Sequence, residues 1–112
     1  MKKVVYLLLM MTFLLSSCGE YNKVLKSRDS DYKYEAAKSY FGNGQYTKAI
    51  TLLEEVTTYM KGTRHAEESL YMLAMSYYNQ ADYVTASHYF TTYYNTYPKG
   101  TYTELARFHA GK

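Results

Sequence analysis

Tryptophan is absent from this chain of 112 residues, and proline and cysteine occur once each. A lone thiol, Cys18, excludes an internal disulfide. The histidines His65, His88 and His109 fall on three different predicted helices, and no pair has metal-ligand spacing. No Ser/His/Asp set, nucleophile elbow or Rossmann glycine pattern is present. Gly42-Asn43-Gly44 lacks the G-K-[ST] ending of a phosphate loop and follows no strand. Glu54-Glu55 and Glu67-Glu68 are sequence neighbours, so their side chains diverge and make poor acid/base dyads; Glu54 and Glu55 are expected to face solvent. The pattern excludes an enzyme with a recognisable centre, and no cofactor is expected.

A basic stripe is also missing. The formal charge is +3, but Lys2 and Lys3 belong to a segment expected to be removed. The remaining 11 basic residues face 10 acidic ones, too even a balance to hold a phosphate backbone, so nucleic acid is not an expected partner.

What is abundant is tyrosine, sixteen in all. Its ring buries a large apolar area and its hydroxyl keeps a polar tip, which suits both repeat cores and wet grooves. The tyrosines fall into a pattern. Leu70, Leu73, Ala74 and Tyr77 share one helical face, and Tyr83, Ala86, Phe90, Tyr93 and Tyr97 share another across the polar break Asn79–Asp82. Pro98 ends the second helix, because it lacks an N–H and clashes with the preceding turn. The segment reads as a helical hairpin.

Shifting by 37 residues brings the pattern back. Ala37, Tyr40, Tyr46, Ala49, Leu53 and Val56 fall on Ala74, Tyr77, Tyr83, Ala86, Phe90 and Tyr93. A period in the thirties marks stacked helical hairpins. The second unit fits the tetratricopeptide pattern: Leu70 takes the Trp slot, Leu73 and Ala74 the Leu-Gly slots, Tyr77 the Tyr slot, then Ala86, Phe90 and Pro98. The first unit is weaker, with Lys33 in the Trp slot and Lys61 in the Pro slot. The predicted fold is all-α: tetratricopeptide-repeat hairpins in a right-handed solenoid, two repeats and the first helix of a third. Repeat 1 spans 31–60, repeat 2 spans 64–97, and a new start spans 101–112. Predicted helices run Asp31–Phe41, Tyr46–Met60, Arg64–Gln80, Tyr83–Tyr97 and Thr101–Ala110. An unpaired last helix exposes its apolar face, so the natural protein is expected to continue past Lys112.

The third predicted helix is apolar beyond its stripe, with Tyr71, Met72, Met75 and Tyr78. Such a helix is either buried twice or binds something. In tetratricopeptide folds the flanking positions line a groove, and the first repeat places Tyr34, Glu35, Lys38 and Phe41 there, of which Tyr34 and Phe41 are aromatic. The candidate peptide-binding ribbon is therefore Tyr34, Phe41, Tyr71, Met72, Met75 and Tyr78, an adaptable, partly wet surface. Packing between helices is the competing reading of the same residues.

The first eighteen residues read as an address. Lys2 and Lys3 precede the apolar run Val4–Leu15, which is shorter than the roughly 20 residues a bilayer needs. The run ends in Leu15-Ser16-Ser17-Cys18. That ending resembles the bacterial lipoprotein signal, which implies cleavage of 1–17 and acylation of Cys18. Two or more acyl chains hold a protein firmly on a membrane. By the same resemblance, Gly19 after the cysteine points to the outer membrane, periplasmic face. Residues 18–30 then form the lipidated cysteine and a polar segment, most simply a flexible tether. Its cluster Tyr21, Val24 and Leu25 could instead dock as a turn of helix.

The order of lipoprotein signal, E-Y-N-K-V-L-K-S, Y-K-Y-E-A-A-K-S-Y-F-G-N-G-Q-Y-T-K-A-I-T-L-L-E-E and Y-P-K-G-T-Y resembles the BamD family of outer membrane protein assembly factors in its Bacteroidetes form. The resemblance covers essentially the whole chain, as the N-terminal part of a longer family member. It implies a lipid-anchored scaffold of the β-barrel assembly machine. The implied partners are a BamA-like barrel protein, other assembly-machine subunits and unfolded outer-membrane protein precursors, with the membrane reached through the lipid anchor. The alternative is another periplasmic tetratricopeptide lipoprotein acting as an envelope adaptor.

Overall fold

A computed structural model describes residues 19–111; the expected leader 1–17, Cys18 and Lys112 lie outside the described residues. Among the described residues the chain is all-helical, six helices joined by short turns, with no strand. Helix α1 covers residues 19–26, α2 Ser30–Gly42, α3 Tyr46–Tyr59, α4 Arg64–Asn79, α5 Tyr83–Thr96 and α6 Thr103–Ala110. From α2 on, each helix packs on the next, and α2 also touches α4. The fold is a stack of tetratricopeptide-like hairpins, with α2, α4 and α6 in one row and α3 and α5 in the other.

Local chemistry sets the helix ends. The Asp29 carboxylate accepts from the Asp31 and Tyr32 amides, at 3.1 and 3.3 Å, and starts α2. The helix thus starts at Ser30, one residue before the predicted start at Asp31, because Asp29 supplies the cap. Thr63 caps α4 through the Ala66 amide, and Asp82 caps α5 through the Thr85 amide. Helix α2 ends into Gly44 at φ +78°. The residue 37 positions later, Ala81, repeats that left-handed turn at φ +63° without being glycine. Helix α5 ends at Thr96, two residues before Pro98.

Small residues let the helices close. Ala37, Ala49, Ala74 and Ala86 are all buried, as the hairpin reading requires. One core cluster joins Val24, Ala37, Ala49, Leu52, Leu53 and Leu73; a second joins Leu70, Ala74, Ala86, Phe90, Tyr93 and Ala106. Helix α3 lies between α2 and α4, so it is buried on two sides; Leu52, outside the one-face stripe, is therefore fully enclosed. Tyr83, placed on the core stripe by its spacing, is 57% exposed instead, because it stands at the first turn of α5.

The expected flexible tether is instead ordered. Residues 19–26 form a helix whose Val24 is buried and whose Tyr21 and Leu25 pack on the first cluster. The Tyr21 ring meets the Tyr40 ring edge-on at 5.7 Å, and Lys48 Nζ stands 5.3 and 5.6 Å from the two ring centres. Lys33 explains its own misfit with the Trp slot. Its ammonium donates to the Leu25 carbonyl at 3.1 Å and to Glu55 at 2.6 Å, joining α1, α2 and α3. Neither Glu55 nor Glu54 simply faces water: Glu54 accepts from the Tyr77 hydroxyl at 3.2 Å, across the two repeats.

Candidate functional site

The period of 37 residues places two ring pairs in equivalent positions. Tyr34 of α2 lies 4.0 Å from His65 at the start of α4, and Tyr71 of α4 stacks on Tyr102 before α6, at 4.3 Å and 9°. Each pair fastens the first helix of one hairpin to the start of the next. A groove of about 470 Å³ opens between these first helices. Lys38 and Phe41 line it from α2, Glu68, Tyr71 and Met72 from α4, and Tyr102 closes one end.

Three of the six ribbon residues meet there: Phe41, Tyr71 and Met72, all half-buried. The ribbon as a continuous open strip does not form. Tyr34 is 2% exposed, beneath His65, with its hydroxyl donating to Glu68. Met75 packs against the second core cluster. Tyr78 turns toward α6 and lines a separate hollow of about 230 Å³ with Tyr83, Ser87 and His109. The reason is angular. Residues 72 and 71 lie on opposite flanks of the α4 stripe, so Met72 leans on the first cluster while Tyr71, Met75 and Tyr78 lean on the second.

The groove floor is fixed. The Tyr71 ring also meets Tyr93 at 5.8 Å and Phe90 at 6.0 Å, leaving it little rotational freedom. Burial, and secondarily Tyr102, raises its phenol above the usual range. Burial and the Glu68 carboxylate hold the Tyr34 phenol up as well. That hydrogen bond orients Glu68, whose other oxygen is 3.4 Å from Arg64. Lys38 Nζ lies 5.8 Å from the Tyr34 ring centre and is the groove's cationic side chain. The site thus offers aromatic and thioether surface between one held anion and one cation. Such a surface accepts apolar side chains of an extended chain.

Sequence reasoning places Lys38 at a groove position but misses Tyr102 and Glu68 as lining. The signal for Tyr102 was there: it is His65 moved on by 37 residues, as Tyr71 is Tyr34 moved on by the same step. Glu68 is recruited by Tyr34 across 34 residues, which no local pattern announces. Among the described residues, no group of three or more His, Cys, Asp or Glu side chains is placed to hold a metal ion. No described helix is long and apolar enough to cross a membrane.

No curated protein matches the chain. A family profile does: YfiO, described as outer membrane lipoprotein, over residues 26–112. With most of its length in that match, including both hairpins, the groove and α6, the chain belongs to the YfiO family of outer membrane lipoproteins.

Proposed function

We propose that this chain is a lipid-anchored scaffold on the periplasmic face of the outer membrane, working within the β-barrel assembly machine. In this reading Cys18 carries the lipid, and the groove between α2 and α4 receives extended segments of unfolded barrel precursors. A BamA-like barrel protein and further subunits are its partners. No catalytic step, cofactor or metal is required. The carrying observation is the groove of about 470 Å³ bounded by Phe41, Met72, Tyr71 and Tyr102. Barrel strands alternate apolar and polar residues, so one face of such a segment presents apolar side chains at intervals that a narrow aromatic trough can take up. Membership of an outer membrane lipoprotein family supports the anchor.

The test uses a peptide with alternating aromatic residues, titrated against the lipid-free protein and against Phe41→Ser/Met72→Ser. Both side chains are half-buried at the groove and make no hydrogen bond the fold relies on. Affinity is expected to fall about tenfold or more, equivalent to about 1.4 kcal/mol, with the helical signal unchanged. Equal affinity in an intact variant rejects the groove. For the anchor, Cys18→Ala is expected to release the protein from the membrane fraction.

A further inference from the structure

Helix α1 is antiparallel to α2 and clamped to it. Tyr21, near its start, meets Tyr40 in the last turn of α2 at 5.7 Å, while Leu25, near its end, is held by Lys33 of the first turns of α2. The described chain therefore begins beside the turns that join the helices of each hairpin. The second such turn lies along the same edge, since Gln80 donates to Thr47 at 2.9 Å.

We propose that α1 sets the orientation of the solenoid on the bilayer: the edge carrying turns 42–45 and 79–82 faces the lipid surface, and the opposite edge, with turn 60–63 and corner 97–102, points away. This rests on acylation of Cys18, the anchor argued above. A lipid attached one residue before a docked helix tethers the near edge, rather than the far one, to the bilayer. The two edges are separated by the length of α3, whose 14 residues span about 21 Å.

Acylated Cys18 leaves no other thiol in the chain, so an introduced cysteine is a unique labelling site. Full-length lipidated Asn43→Cys and Lys61→Cys, each carrying a fluorophore, are placed in zwitterionic vesicles containing headgroup-nitroxide lipid. Both positions are exposed. The label at 43 is expected to lose most of its emission, and the label at 61 little. In the Val24→Asp background, which removes the buried contact of α1, the two labels are expected to be quenched alike. Equal quenching without that change, or stronger quenching at 61, overturns the orientation while leaving the anchor intact. Mass analysis of the membrane-extracted protein separates the two failures, because an unacylated chain overturns the anchor and the orientation together.

Discussion

Ala81 shows how a single residue departs from what its position favours. Gly44, its counterpart one repeat earlier, adopts φ +78° freely, whereas Ala81 holds φ +63° with a Cβ facing the adjacent carbonyl. A left-handed alanine costs about 1–2 kcal/mol, and the added chain entropy of glycine offsets about 0.4–1 of that. Ala81→Gly is therefore expected to stabilise the protein by about 0.5–1 kcal/mol, read as a higher urea midpoint at unchanged slope. Gly100 is the opposite case. A Cβ there would meet Glu67 Oε1 at 2.5 Å and the Tyr93 hydroxyl at 2.8 Å. That hydroxyl accepts from the Tyr102 amide at 3.1 Å, so the intruding methyl would disturb the corner that delivers Tyr102 to the groove. Gly100→Ala is expected to cost about 1–3 kcal/mol in thermal or urea unfolding. Neither effect was visible in the sequence, where 81 reads as an ordinary alanine and 100 as an ordinary turn glycine.

Among the elements, α1 and α4 depart most from their sequence reading, for related reasons. Helix α1 is too short to be stable alone, and its three apolar residues are compatible with a tether. It becomes a helix because Val24 finds a closed apolar seat and Lys33 takes up the carbonyl of Leu25. Lys33 is 8 residues from Leu25 and 22 from Glu55, separations at which no periodicity argument operates. Helix α4 is apolar on several sides because it has neighbours on several sides. Its periodicity announces the excess of apolar residues but not how they divide. Packing assigns Met72 to one cluster and Tyr71, Met75 and Tyr78 to the other, and only Tyr71 and Met72 of these four remain at the groove.

Across the whole molecule, the tyrosines give the fold a common response to alkali. Burial, followed by the nearby Glu54 carboxylate, pushes the Tyr77 phenol up to about 12. Burial also brings Tyr93 to about 12, with the Tyr102 amide opposing and Glu67 assisting. Tyr34 is raised too. A raised folded value means that the folded state keeps its protons where the unfolded chain, at the ordinary 10.0, has begun to lose them. Stability from these groups is complete below pH 10 and is lost as pH rises toward 12. Urea midpoints are expected to be level from pH 7 to about 9.5 and to fall steeply above 10. Phenolate absorbance should lag behind that of a free tyrosine until the helices melt. Tyr77→Phe keeps the ring stack on Tyr89, at 5.4 Å, but removes one such phenol, so the fall should become shallower.

The 37-residue period, the small residues at 37, 49, 74 and 86 and the stop at Pro98 determined the hairpins by themselves, because helical periodicity is written in residues close along the chain. The three-dimensional packing alone decided that the linker docks, that Tyr34 is enclosed while Phe41 and Met72 stay open, and that Tyr102 completes the groove. Those outcomes depend on which side chains meet across 20 to 40 positions, and they are settled by the space left between helices rather than by any local preference.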